Sequence, residues 1–146
     1  MKKTRLSLFP GLLFISSALM ATELKTVSPE QLLDMQQNQN ALVVDIRTEA
    51  EWQASGILSN SLKLQSFDPQ GRFDQAKWVA ALEQLKSSPD QPVILICRSG
   101  NRSARVGDFL TRQLGMKNVH HLQNGLQSWL ESGGPVSPNC LQVACK

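Results

Sequence analysis

The segment PVILICRSGNRS, residues 92–103, places a polar loop directly after a buried strand. Its first part, which ends at Ile96, is apolar and rich in β-branched residues, as is typical of a strand at the centre of a parallel sheet. The loop that follows begins with Cys97 and carries two arginines, a glycine, an asparagine and two serines. Open α/β sheets bind ligands at the carboxyl ends of their strands. The segment therefore predicts a fold class and the place of a site within it.

The rest of the chain alternates short apolar runs with helical patterns, which favours a parallel sheet covered by helices. Further strands are predicted at 41–45, 61–64 and 118–122, and helices over 49–54, 73–86 and 126–130. Ser28 is the predicted N-cap of the first helix, and Gln31 completes a capping box. The helix after the cysteine loop is predicted to end at Gly115. A chain of 146 residues, 41% of them hydrophobic, suits one globular domain.

The first 21 residues have the pattern of a secretory signal peptide. Lys2, Lys3 and Arg5 precede the apolar run LFPGLLFISSALM, and Ala18 or Ala21 offers a small residue for cleavage. The alternative is a membrane anchor, but the apolar run is shorter than the roughly 20 residues that a spanning helix needs.

We therefore expect a signal peptide over 1–21, a domain over 22–135 and a C-terminal tail over 136–146. The expected location is periplasmic or secreted, with no stable membrane association after cleavage. The leader holds three of the 15 basic residues and none of the 12 acidic ones, so its removal brings the formal net charge from +3 to zero. The remaining basic residues are scattered among equal numbers of acids, so no nucleic-acid partner is expected.

Three cysteines remain after export, and an odd count leaves at least one thiol free or bonded to another chain. Cys140 and Cys145 lie close together in a proline-containing tail and are a candidate disulfide, which leaves Cys97 as the odd one. The alternatives for the tail are two free thiols or a weak metal site. No histidine spacing nearby supports a metal, so neither a metal nor a cofactor is expected.

The loop after the strand has the composition of an anion-binding cup. Gly100 and Asn101 tolerate backbone angles that turn successive N–H groups inward, and the helix that begins near Arg102 adds unpaired N–H groups of its own. We expect this cup to hold the Cys97 sulfur as a thiolate. No histidine or carboxylate adjoins Cys97 in sequence, so its activation is predicted to be electrostatic. Arg98 and Arg102 are then donors for the oxygen atoms of an anionic substrate.

The length of the loop indicates which kind of group it can hold. Four residues separate Cys97 from Arg102, whereas tyrosine-phosphatase-type loops place five residues between cysteine and arginine. The shorter loop makes a tighter cup, which suits one additional sulfur atom better than a phosphoryl group. The competing interpretation is an inert cysteine buried at the end of a strand, and the surrounding arginines, glycine and helix favour a functional one.

Three blocks of sequence together resemble a single-domain rhodanese, a sulfurtransferase of the thiosulfate type. They are VVDIRTEAEWQASGIL at 43–58, CRSGNRS at 97–103 and NGLQSWLESGGPV at 124–136. The resemblance implies a three-layer α/β domain with a central parallel five-stranded sheet and helices on both faces. It also implies a two-step exchange, in which a small anionic sulfur donor such as thiosulfate loads the cysteine with sulfur and a thiol or cyanide acceptor removes it.

The resemblance assigns roles to residues of this sequence. Cys97 is the expected catalytic residue, and the expected substrate-binding residues are Arg98, Ser99, Gly100, Asn101, Arg102 and Ser103. Asp45 and Arg47 are expected to be a structural pair, Glu51 and Trp52 to serve helix surface and packing, and His120 and His121 to have ordinary surface or packing roles. The chain departs from the family pattern where Ile57 replaces a histidine and Asn60 a glycine.

Two functions from other classes fit the same loop. One is a rhodanese-like module that carries or senses sulfur for a partner protein without turnover. The other is a thiol-dependent reductase in which Cys140 or Cys145 resolves a bond formed at Cys97. A phosphatase is disfavoured because the loop is one residue short.

Overall fold

The structure is a computed structural model, and it describes residues 22–137. The predicted signal peptide and the candidate disulfide between Cys140 and Cys145 lie outside the described residues. Between residues 22 and 137, no helix combines the length and the apolar character needed to cross a bilayer.

The described elements include every helix and strand that the sequence predicts, together with three short strands that it does not. In chain order they are β1 (Lys25–Val27), α1 (Pro29–Asn38), β2 (Leu42–Asp45), α2 (Glu49–Ser55), β3 (Ile57–Leu58), β4 (Ser61–Lys63), α3 (Gln75–Leu85), β5 (Val93–Ile96), α4 (Asn101–Asp108), β6 (Val119–Leu122), α5 (Gly125–Glu131) and β7 (Val136–Ser137). A π-helical segment over Phe109–Gln113 continues α4.

A parallel five-stranded sheet forms the centre of the domain, in the order β1-β6-β5-β2-β4. Strand β5, the start of the segment that predicted the fold, is its middle strand, with β2 on one side and β6 on the other. The predicted α/β class with a central parallel sheet is therefore confirmed. The carboxyl ends of these parallel strands share one edge, and the cysteine loop leaves the sheet at the middle of that edge.

Side chains alternate across β5 and divide the core into two layers. Leu95 and Cys97 face the layer that holds Trp78 of α3 and Val106 of α4. Ile94 and Ile96 face the other layer, where the buried side chains of the two outer helices are Leu32 and Met35 of α1 and Leu126 and Trp129 of α5. Helices thus cover both faces of the sheet, and the alternation decides that the Cys97 side chain points toward the α4 side.

Helices α1 and α2 each begin with a capping box. Ser28 accepts a hydrogen bond from the Gln31 N–H, and the Gln31 side chain accepts one from the Ser28 N–H, which confirms the predicted capping box. Thr48 and Glu51 form the same reciprocal pair at the start of α2. The second box fixes the short helix that carries Glu51 toward the cysteine loop.

A small antiparallel sheet of β3 and β7 lies apart from the main sheet and has no counterpart in the predicted elements. Ile57 and Leu58 pair with Ser137 and Val136, so strand pairing continues past residue 135 into the segment expected to be tail. Asn60, which stands where the family pattern has glycine, has φ of 60°. Asparagine is among the residues that tolerate this left-handed conformation, so the turn is kept despite the departure.

Candidate active site

Cys97 lies at the first position after β5, and it is only 1% exposed. Its Sγ accepts hydrogen bonds from the N–H of Gly100 at 3.1 Å and from the N–H of Ser103 at 3.4 Å. The Ser103 hydroxyl lies 3.4 Å from the same sulfur. Donors fixed around one atom stabilise negative charge on it, because they need no rearrangement when the charge forms.

The backbone of the loop makes this arrangement through Gly100, whose φ of 92° lies in the left-handed region. That turn brings the glycine's own N–H toward the sulfur and directs the chain into α4. The Ser103 hydroxyl donates to the Gly100 carbonyl at 3.0 Å and so connects the two ends of the turn. The loop and the first turn of α4 therefore form one hydrogen-bonded unit around Sγ.

The start of α5 supports the loop from beneath. Leu126 donates its N–H to the Cys97 carbonyl at 2.8 Å, and Gln127 donates to the Arg98 carbonyl at 3.2 Å. Gly125 has φ of 59°, and a Cβ at this position would overlap with the Cys97 carbonyl oxygen. The glycine thus lets a helix terminus approach the backbone of the loop closely, which explains why the third sequence block belongs to the site.

Arg102, a predicted substrate-binding residue, is paired with Glu51 of α2. Its two terminal nitrogens donate to the two carboxylate oxygens at 2.8 and 2.6 Å. The hydrogen bonds from Arg102 lower the pKa of Glu51 to about 2, and the carboxylate in turn raises the pKa of Arg102. Sequence reasoning placed Glu51 on a helix surface, because nothing in the sequence shows that α2 and the loop meet at the same sheet edge.

The other predicted substrate-binding residues lie along the loop. Gly100 and Ser103 are buried and contact the sulfur, as described above. Arg98 and Asn101 are exposed at the rim of the loop, and Ser99 is half-buried. The loop therefore combines a buried sulfur with an exposed guanidinium one residue further along the chain.

Asp45 and Arg47, the predicted structural pair, form a buried ion pair at the end of β2. Arg47 Nη2 lies 2.7 Å from Asp45 Oδ2 and also donates to the Gly56 carbonyl at 2.7 Å. Its Nη1 donates to the Ser55 hydroxyl at 2.6 Å. The pair thus ties the end of the strand to the end of α2 and holds the helix that presents Glu51.

His121 reaches the site from β6, which sequence reasoning missed. Its Nδ1 lies 3.4 Å from the Ser103 hydroxyl, and its Nε2 lies 3.3 Å from the hydroxyl of Thr26. Alternation along the strand showed that one of the two histidines points to each face, but not that β6 lies beside β5. His120 points to the opposite face, where it is buried and its Nδ1 has no hydrogen-bond partner among residues 22–137. Burial lowers the pKa of both histidines.

No cluster of three metal-ligating side chains occurs in the part of the chain that the structure describes. Around Cys97 the site combines a thiol, N–H donors, a hydroxyl, an imidazole, a carboxylate and two guanidinium groups.

Comparisons with known proteins agree on one family. Residues 28–132 match the family model of the Rhodanese-like domain. The chain is 27% identical over 110 residues to the thiosulfate sulfurtransferase GlpE of Glaesserella parasuis, an alignment that covers 75% of this chain and 90% of that protein. It is 28% identical over 112 residues to an uncharacterised Synechocystis protein, covering 76% of this chain but only 55% of the relative.

A solved structure shows the same fold. The rhodanese-related protein of Thermoplasma volcanium superposes with a TM-score of 0.60 at 27% identity, and the match covers 79% of this chain and 99% of that one. Because the family model spans well over half of the chain, from residue 28 to residue 132, this protein belongs to the rhodanese-like domain family.

Proposed function

We propose that this protein is a thiosulfate sulfurtransferase that carries sulfur as a persulfide on Cys97. The observation that carries the proposal is the pair of N–H donors from Gly100 and Ser103 directed at a single sulfur atom. The relatives named thiosulfate sulfurtransferase support the choice of reaction class. The proposed donor is a small sulfur-containing anion, and the proposed acceptor is a thiol or cyanide.

The first half-reaction loads the cysteine. The Cys97 thiolate attacks the outer sulfur of thiosulfate and forms a new S–S bond, while the original S–S bond of thiosulfate breaks and sulfite leaves with its electron pair. The N–H groups of the loop stabilise the negative sulfur before the attack and the persulfide after it.

The second half-reaction removes the sulfur. A thiolate or cyanide ion attacks the outer sulfur of the persulfide, and the bond to Sγ breaks with its electron pair returning to Cys97. The cysteine leaves this step as a thiolate, so the cycle needs no external oxidant or reductant. Such an exchange gives ping-pong kinetics, because sulfite departs before the acceptor reacts.

The two arginines of the loop have different tasks in this proposal. Arg98 is exposed at the rim and is the guanidinium that meets the sulfonate oxygens of the donor. Arg102 has both terminal nitrogens on Glu51, so it contributes positive charge near the sulfur and holds the loop against α2. This division refines the expectation that both arginines bind the donor directly.

The test is to incubate the purified protein with thiosulfate and to measure the mass of Cys97-containing species. We expect a gain of about 32 Da, the mass of one sulfur atom, and release of thiocyanate when cyanide is added. The Cys97→Ser variant should show neither. If the unmodified protein gains no sulfur and produces no thiocyanate, the proposal is wrong. If it gains sulfur but gives it up only to a protein partner, the carrier function is the correct one.

A further inference from the structure

The sulfur of Cys97 has little direct contact with solvent, because the residue is 1% exposed. Whenever Cys97 is protonated, as before the first turnover, the thiol has to lose its proton before it can attack the donor of the proposed reaction. A buried S–H bond needs an acceptor within the protein for that proton. Cys97 has no carboxylate or histidine next to it in sequence, but the fold brings a histidine close to it.

A chain of polar atoms leads from the sulfur to the protein surface. The Ser103 hydroxyl lies 3.4 Å from Cys97 Sγ and 3.4 Å from Nδ1 of His121. On the other side of the imidazole ring, Nε2 lies 3.3 Å from the Thr26 hydroxyl. Ser103 is fully buried, His121 is half-buried and Thr26 is exposed, so each step of the chain is closer to solvent.

We propose that His121, acting through the Ser103 hydroxyl, is the proton acceptor for the Cys97 thiol. This inference rests on the proposed function, in which the thiolate is the attacking group. The S–H bond of Cys97 breaks and its proton goes to the Ser103 oxygen, while the Ser103 hydroxyl proton goes to Nδ1 of His121. The products are a thiolate, an unchanged serine and an imidazolium, so protons and charges balance.

The hydroxyl of Ser103 can serve this transfer by a rotation about its C–O bond. It donates to the Gly100 carbonyl at 3.0 Å in the resting arrangement. Turned toward His121, it donates to Nδ1 and leaves its oxygen free to accept from the Cys97 thiol. In that second arrangement the neutral His121 ring carries its hydrogen on Nε2, and the Thr26 hydroxyl accepts a hydrogen bond from it.

The groups around His121 are consistent with a neutral ring ready to accept a proton. Burial lowers its pKa, and the carboxylate of Asp108 on α4 acts in the opposite direction. Asp108 is itself 3.2 Å from Arg112 in an ion pair. On β1, Thr26 is the residue in register with His121, whereas Lys25 is in register with His120 and lowers the pKa of that residue.

The experiment measures how fast iodoacetamide alkylates Cys97 between about pH 5 and pH 10, by quantifying the Cys97 peptide. His121→Gln keeps a side chain that can hydrogen-bond with Ser103 but cannot take up a proton. We expect this variant to react about tenfold more slowly near pH 7, and at the same rate as the unchanged protein near pH 10, where hydroxide removes the thiol proton directly. Ser103→Ala should give the same profile, and the double variant should react no more slowly than either single one.

His120→Gln is the matched control, because it makes the same change one residue away on the opposite face of the sheet. It should leave the alkylation profile unchanged. Three results would overturn the proposal: an unchanged profile for His121→Gln, an equal slowing at every pH, which indicates only a structural role, or the same loss in His120→Gln. Alkylation requires no sulfur donor, so the absence of a persulfide with thiosulfate would refute the proposed function and leave this test intact.

Discussion

Glu51 and Arg102 connect the short helix α2 to the cysteine loop through two hydrogen bonds between charged groups. Both side chains are about three-quarters buried, with 26% and 27% exposure, so solvent weakens the interaction less than at an open surface. Bidentate pairing of guanidinium and carboxylate also fixes the relative orientation of the two groups. The pair therefore orients the loop as well as stabilising it.

Replacing Glu51 by glutamine tests this connection. The variant keeps an oxygen for the capping box with Thr48 but loses the charge, so we expect the free energy of unfolding to fall by about 1 to 2 kcal/mol at pH 7. The pKa of Glu51 is about 2 in the folded protein and 4.5 at its ordinary value. Because the folded value is the lower one, the stabilisation is complete above pH 4.5 and is lost as the pH falls toward 2. Urea unfolding at a series of pH values measures this difference.

Glu49→Gln is the control for that variant, because Glu49 is on the same helix and its side chain is 52% exposed. It should change stability by less than about 0.5 kcal/mol. An equal loss in both variants would show that the charge of α2, and not the contact with Arg102, is what matters.

Gly125 offers a second test at the level of one residue. In Gly125→Ala the new Cβ would overlap with the backbone of Cys97 and Arg98, and the positive φ adds strain. Gly133→Ala carries a comparable strain, since φ is 78°, but its Cβ would meet nothing within 4 Å. We expect Gly133→Ala to cost about 1 kcal/mol of stability, and Gly125→Ala to cost at least about 2 kcal/mol more.

The same two glycine variants should differ in activity as well as in stability. Persulfide formation should be retained in Gly133→Ala and strongly reduced in Gly125→Ala, because only the second displaces the loop. Thermal unfolding together with the thiosulfate assay measures both effects. Equal behaviour of the two variants would mean that the close approach of α5 is not needed to shape the loop.

Helices α1 and α2 begin with the same kind of capping box, but α2 also carries Glu51, which contacts the cysteine loop. Thr48→Ala and Ser28→Ala should each lower the free energy of unfolding by about 1 kcal/mol, as the loss of an N-cap usually does. Only Thr48→Ala should also slow the alkylation of Cys97, by several-fold, because α2 carries Glu51. A similar slowing in Ser28→Ala would contradict this assignment of α2 to the site.

The main elements could be predicted from sequence because their signals are local. The apolar run at 93–96 and the capping box at Ser28 each depend on neighbouring residues. Strands β1, β3 and β7 have two or three residues and were missed, whereas β4, also of three residues, lies within the alternating segment 61–64 and was predicted. Their pairing partners are distant in sequence, so only the folded chain shows them.

The site, too, could be predicted only where its residues are contiguous in sequence. The loop from Cys97 to Ser103 is continuous in sequence, and its glycine and helix start indicate an inward-facing backbone. Glu51 lies 51 residues from its partner Arg102 in the chain, and His121 lies 18 residues from its partner Ser103. Their contribution depends on strand order, which places β2 and β6 on either side of β5, and no local pattern encodes that order.

At the scale of the whole molecule, the proposed export rests on the leader sequence alone. Without residues 1–21 the formal net charge is zero, so attraction of an anionic donor has to come from the loop itself. Intact mass measurement on the protein recovered from a periplasmic or secreted fraction is the test. We expect cleavage near Ala21 and a mass about 2 Da below that of the reduced chain, as one disulfide between Cys140 and Cys145 requires.

The same two cysteines separate the proposed sulfurtransferase from a reductase. Replacing both Cys140 and Cys145 by serine should leave sulfur transfer at Cys97 unchanged, because neither takes part in the exchange. Loss of activity in this double variant would favour the reductase, in which a second cysteine resolves the bond formed at Cys97.

The recessed position of Cys97, with 1% exposure, affects which molecules can react with it. An S–S bond is about 2.05 Å long, so a sulfur atom added to the cysteine projects outward by nearly that distance. In the proposed reaction, the unloaded protein therefore shields its thiol from large oxidants and bulky disulfides, while the loaded protein carries its outer sulfur about 2 Å beyond Sγ. Burial of the resting sulfur thus limits, through steric access, which molecules can oxidise it.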